Sequence, residues 1–210
     1  MKEEEIQDEL VSIRKLMERS SKFISLSGLS GILAGVYALI GAGIAYFYLY
    51  NGERRDHYNL HFYSFNYFMD SDIGQLIVVA ILVLLASLGT GLILTSRKAK
   101  ETGQAIWGNI SRALLFNMSL PLLSGGLLIV ILILRGYYGI VSPASLIFYG
   151  LALIGASNFT FNDVRYLGIC EIILGLIAAC MPGYGLLFWA LGFGLLHIVY
   201  GSMMYFKYDR

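Results

Sequence analysis

Charge is what this sequence has least of. Asp, Glu, Lys and Arg make up 14% of the 210 residues, against 57% hydrophobic, and the mean hydropathy is +0.68. A soluble domain usually carries about 25% charged residues, so a water-exposed globular fold is excluded as the main architecture. Cysteine is equally sparse. Cys170 and Cys180 fall in one apolar run, about 15 Å apart if that run is helical, too far to bridge each other. They read as small apolar packing residues. Of the three histidines only His197 sits inside an apolar segment, so a bis-histidine haem between helices is excluded. Phosphate-loop and dinucleotide-binding glycine motifs are missing, and no polar stretch is long enough for a nucleotide domain. The one serine between glycines, in "GLSG", lies inside an apolar helical pattern rather than a strand-to-helix elbow. No cofactor and no nucleic-acid partner are expected.

Long apolar runs are what fills the chain. Spanning about 30 Å of hydrocarbon takes roughly 20 helical residues, and six segments qualify, at about 24–50, 72–95, 111–134, 143–160, 165–181 and 184–206. The expected fold is all-α: a six-span membrane domain over 23–210, arranged as three helical hairpins, preceded by an arm at 1–22. The opening "MKEEEIQDEL" is too acidic and polar for a cleavable leader. If the spans alternate, twelve of the fifteen Lys and Arg residues fall on one side; only Arg54, Arg55 and Arg135 fall on the other. The positive-inside rule then puts both termini in the cytoplasm. In the arm, Ile6, Leu10, Ile13 and Met17 share one helical face. That face suits the membrane surface or a protein partner docking through residues 1–22.

The second and third hairpins have related outer turns. "RGYYGIVSPASLIFYGLALIGAS" and "MPGYGLLFWALGFGLLHIVYGS" both combine a Gly-Tyr turn, a proline, an aromatic-aliphatic run and a late glycine, which implies a duplicated hairpin. With "GICEIILGLIAACMPGYGLLFWALGFGLLHIVYG" before us, the chain resembles the six-span bacterial membrane proteins of the HdeD acid-resistance family. The resemblance implies a small inner-membrane protein linked to acid stress. It implies no particular functional residues.

Small residues mark the helix faces. Ser27, Gly31 and Gly35 form a small-xxx-small stripe in the first span, which lets backbones approach closely and suits self-association. Gly168, Glu171, Gly175 and Ala178 share a face of the fifth span, and Ala190, Gly194, His197 and Gly201 align in the sixth. A carboxylate on the small face points at neighbouring helices, so Glu171 is expected inside, about 9 Å in from Arg165. His197 comes about 14 Å in from the same surface. Ionisable residues within spans mark functional sites. Glu171, His197, Arg112 and Asn117 are therefore the candidate proton, ion or polar-ligand site, with Glu171 needing a shared proton or a cationic partner such as Arg112 or a histidine. Each also has a plainer role: Arg112 can snorkel beside Trp107, Glu171 can be an interhelical hydrogen-bond partner, and His197 can be a satisfied core residue.

The first outer loop holds His57 and His61 at helical metal-ligand spacing among many aromatic residues. Tyr and Phe at a membrane boundary more commonly form an interfacial belt, and a lid over an outward cavity is the third reading. Three functions remain open: a transporter or proton- or ligand-responsive membrane factor; a structural or regulatory subunit acting through a partner; and an intramembrane enzyme using Glu171 and His197.

Overall fold

The computed structural model describes residues 27–51, 72–101, 103 and 107–209. The arm at 1–22, and the loop with His57 and His61, lie outside the described residues. Within them the chain is helical, with no strand. Helix α1 is Gly28–Asn51, α2 Asp72–Glu101, α3 Asn109–Leu134, α4 Val141–Ser157 and α5 Asp163–Cys180. A continuous rod follows, made of α6 (Gly185–Trp189), a π-helical segment (Ala190–Leu196), α7 (His197–Met204) and a π-helical end (Tyr205–Asp209).

Five stretches are long and apolar enough to cross a membrane: Gly28–Tyr48, Gly74–Glu101, Asn109–Leu134, Tyr138–Ser157 and Gly185–Asp209. The sixth expected segment is also helical, as α5. Its 18 residues include Asp163, Arg165 and Glu171, and that charge separates it from the other five. Glycine makes the reversals between helices. Gly136, at φ 77, closes α3 with its N–H on the Ile133 carbonyl, while the Tyr137 N–H bonds the Leu132 carbonyl, the paired bonds that end a helix in a left-handed residue. Gly183, at φ 93, turns the chain between α5 and the rod.

Close backbone approach holds the helices together. Antiparallel α4 and α5 meet at Gly150 and Gly168: a methyl group on either would come within 2.5 and 2.7 Å of the other's carbonyl oxygen. Gly175 faces the Pro143 carbonyl in the same seam. On the other side, α1 runs antiparallel to the rod, with Gly31 against Gly201 and Gly35 against the Gly194 carbonyl. Helix α3 lies on α4 through Gly125 and Phe148, and α2 lies on α1 through Gly41 and Val83. The apolar windows of α2 and α3 are 0% and 6% buried, against 39% for α4, so α2 and α3 form the flanks and present aliphatic side chains outward. Cys170 and Cys180 are exposed, not packed inside as expected; they share the outer surface of α5 with Ile173 and Ile177, where a small, weakly polar thiol needs no interior partner.

Polar contacts gather one end of the bundle. The Asp209 carboxylate accepts the Gly28 N–H at 2.8 Å and the Ser27 hydroxyl at 3.3 Å, and pairs with Lys98. That joins the rod's end to the start of α1 and the end of α2. Asp163, in the first turn of α5, accepts from Lys207 at 2.9 Å and from the Tyr208 hydroxyl at 2.7 Å. Burial works to raise the Asp163 carboxyl, but the hydrogen bonds from Lys207 and Tyr208 outweigh it and hold the group below the ordinary carboxylate range. At the opposite end the Ser142 hydroxyl donates to the Gly185 carbonyl at 2.6 Å.

Two outcomes are expected. Gly201→Leu would drive a side chain into the Ile32 nitrogen and Gly28 carbonyl, each under 3 Å from an added Cβ, and should cost about 1–3 kcal/mol, read as a lowered melting temperature in detergent. Because the Asp163 carboxyl is depressed on folding, its stabilisation is complete above its unfolded value and is lost as pH falls through the lower folded value. Melting temperature should therefore lose a contribution below about pH 4, and Asp163→Asn should remove that component of the acid dependence.

Candidate functional site

Glu171 has no exposed surface and His197 is 6% exposed. They approach from different elements. Glu171 stands on the small-residue face of α5 with Gly168, Gly175 and Ala178, all buried, while Ile169, Ile173, Leu176 and Ile177 point out. His197 opens α7, immediately after the π-helical segment. Its Nδ1 lies 3.4 Å from Glu171 Oε1 and 3.0 Å from the Gly192 carbonyl oxygen. Its Nε2 lies 2.8 Å from the hydroxyl of Tyr149, on α4.

These distances assign the proton on the ring. A carbonyl can only accept, so Nδ1 carries a hydrogen and donates to Gly192. In the neutral imidazole Nε2 is then an acceptor, and the Tyr149 hydroxyl donates to it. The histidine is fully satisfied; the carboxylate is not. Neither Glu171 oxygen has a hydrogen-bond donor among the described residues. A bare carboxylate in that position would bear several kcal/mol of desolvation cost. Two arrangements relieve it: a proton on Glu171, or a proton on His197 that makes the 3.4 Å contact an ion pair. They differ in where one proton sits.

The backbone makes room for this group. The carbonyl that His197 holds is five residues earlier, the reach of a π turn, and single π turns within α-helices recur at functional sites. At Gly192 an added Cβ would come within 2.5 Å of both Glu171 Oε2 and Leu146 Cδ2, so the missing side chain is the space the carboxylate uses. Aromatic rings fix the imidazole: Trp189 packs on Phe193 at 5.2 Å between centroids, Phe193 on His197 at 6.0 Å, and Tyr149 on both Phe193 and His197 at 5.0 and 5.4 Å. Apolar clusters close the site on either side, one around Leu146, Ala178 and Phe188 and one around Leu153, Val164 and Leu167.

Of the four residues expected to share a polar site, the structure brings Glu171 and His197 together and leaves Arg112 and Asn117 apart. Arg112 is exposed in the first turn of α3, where Ser111 takes the inward position. Asn117 is exposed too, and its amide donates to the Ala113 carbonyl at 2.8 Å. Both are outward because α3 is a flank helix with only one close neighbour. The alignment of Gly194, His197 and Gly201 also divides: the two glycines meet α1, while the imidazole turns toward α4 and α5. Tyr149, Gly192 and Tyr200 were not singled out in the sequence. A tyrosine hydroxyl deep in an apolar span requires a partner, which was the available signal for Tyr149 and Tyr200. A polar cleft of about 360 Å³ at the α4–α5 turn is lined by Ser157, Asn158, Asn162, Arg165 and Tyr166, none of them part of this group. Among the described residues no three His, Cys, Asp or Glu side chains gather as a metal site.

Compared with protein-family models, curated proteins and solved structures, the chain matches none. What fold and site define is an all-helical protein with helices able to cross a membrane and an acid–histidine–tyrosine group buried among them.

Gly192→Ala should place a methyl group on the Glu171 carboxyl and cost about 1–3 kcal/mol. Gly192→Ala combined with Glu171→Ala should recover part of that loss, the Leu146 contact remaining, measured by thermal melts of the purified variants.

Proposed function

We propose that this chain is a non-enzymatic multi-pass membrane protein, a small transporter or proton-responsive factor, whose working group is the buried Glu171–His197 pair. The observation that carries the reading is the Glu171 carboxyl, wholly buried, with no donor for either oxygen, 3.4 Å from an imidazole that Tyr149 and Gly192 hold in place. Ionisable groups at such depth are costly and are kept where they bind a proton or ion. A group that needs one proton to be neutral, beside a base that can lend it, is a proton-binding unit. Its placement against the rod, which touches α1, α4 and α5, gives a change of charge there a direct grip on the helices that pack most tightly.

In this reading all six helical segments cross the bilayer, α5 included, because its charged residues are spent at the interface, as Asp163 and Arg165, and in the internal pair. The end with Ser27, Lys98, Asp163, Lys207 and Asp209 faces the cytoplasm, by the excess of Lys and Arg on that side. The duplicated hairpin and the resemblance to the HdeD acid-resistance family agree with a bacterial inner-membrane protein that responds to protons.

Trp189 reports on the site through Phe193. In nanodiscs its fluorescence should show a one-proton pH transition that Glu171→Gln abolishes while the variant stays folded, and that Trp107→Phe leaves intact. A transition unchanged in Glu171→Gln would sink the proposal.

A further inference from the structure

Arg165 differs from the other arginines at its end of the bundle. Arg97, near the end of α2, and Arg112, in the first turn of α3, are exposed and lie outside the polar cleft at the α4–α5 turn. Arg165 lines that cleft of about 360 Å³, together with Ser157, Asn158, Asn162 and Tyr166. No carboxylate lines it. Asp163, two residues before Arg165, is engaged by Lys207 and Tyr208. The Arg165 guanidinium has no ion pair or hydrogen bond among the described residues, so its charge and its five N–H donors are left to the cleft. A recess with one cation, neutral amide and hydroxyl groups and no anion is complementary to a negatively charged ligand. A planar guanidinium matches two oxygens of a phosphate at once.

The surface that the cleft joins narrows the ligand further. Tyr166 lines the cleft and is itself 67% exposed. From Tyr166 an apolar stripe continues along the outer face of α5 through Ile169, Ile173 and Ile177, all exposed and spaced by three or four residues, with Cys170 and Cys180 beside them. The one charged residue in this stretch, Glu171, is turned inward and leaves the stripe uninterrupted. Tyr166 to Cys180 covers about 21 Å at 1.5 Å per residue, more than the roughly 15 Å of hydrocarbon in one leaflet, half of about 30 Å. A ligand that fits both surfaces has an anionic phosphate at one end and a long alkyl chain at the other. We propose that the cleft and the stripe together bind one anionic phospholipid, with its phosphate on Arg165 and an acyl chain along Ile169, Ile173 and Ile177. Basic recesses between helices on the cytoplasmic side suit such headgroups, and tyrosine suits the headgroup level. Free phosphate shares the headgroup chemistry but leaves the stripe unused. The inference rests on the reading of α5 as crossing the bilayer and is independent of the proton pair.

The test is native mass spectrometry of the full chain, stripped of lipid in detergent and titrated with phosphatidylglycerol, with phosphatidylcholine of the same acyl chains, or with inorganic phosphate. The parent should retain phosphatidylglycerol in preference to phosphatidylcholine, and inorganic phosphate should not displace it. Arg165→Gln should weaken phosphatidylglycerol binding by at least about fivefold; Arg165→Lys, which keeps the charge but not the paired donors, should fall between that variant and the parent. Arg97→Gln removes an exposed charge outside the cleft and should match the parent. Equal losses in Arg165→Gln and Arg97→Gln would mean general surface charge and overturn the site. Equal retention of the two lipids would overturn it as well, and displacement of phosphatidylglycerol by inorganic phosphate would assign the cleft to a small soluble anion and overturn the lipid. Glu171→Gln should bind phosphatidylglycerol as the parent does, so the proton-binding reading can fail while this one stands. A chain that stays monodisperse without detergent would overturn the membrane reading and this inference together.

Discussion

Helices in hydrocarbon gain little from hiding apolar side chains from one another, because lipid tails are equally apolar. Backbone proximity therefore carries the assembly, and here glycine provides it. Gly150 against Gly168 closes the α4–α5 seam, and Gly31 and Gly35 against Gly201 and Gly194 close the seam between α1 and the rod. With both seams shut, the rod is held between α1 on one side and α4 and α5 on the other. Everything polar in the interior depends on that placement.

The carboxyl of Glu171 follows from the same constraint. A helix that brings Gly168 and Gly175 to its neighbours also brings the residue between them, so Glu171 enters the interior with its stripe. There it meets the first of the rod's two π-helical segments, Ala190–Leu196. The π turn and the bare Cα of Gly192 together leave a carbonyl for His197 and a space for the carboxyl. Tyr149 completes the imidazole's partners from the third element. Three helices thus each give one polar group to a site that is otherwise enclosed by Leu, Val, Phe and Ala side chains.

The two ends of the molecule differ in kind. At one, Asp209 and Asp163 draw the rod's end to α1, α2 and α5 through charged and hydrogen-bonded contacts. Of these, the Asp163 contacts answer to acid, because the bonds from Lys207 and Tyr208 hold its carboxyl below the ordinary range. The buried pair lies farther in, where an unmatched charge is costly and a single proton decides the balance.

Much of this was legible in the residues themselves. Sparse charge and long apolar runs specify helices long enough for a bilayer, and the glycine spacing in "SGLSGILAG" and around Glu171 specifies which faces turn inward, because only small residues permit backbones to touch. The inward direction of Glu171 was readable for that reason. Its partner was not. The residues offered as its partner were Arg112 and a histidine; only the packing of α3 on the outside, and of the rod against α4 and α5, separated them. The role of Tyr149 required knowing that α4 crosses beside the rod. The use of Gly192 required the π turn, which no local pattern announces, since its extra residue is accommodated by the neighbours rather than by the segment's own composition. Sequence determined what each helix would present. Tertiary structure alone decided what each would meet, because contacts between distant segments depend on the depth and rotation at which whole helices pack.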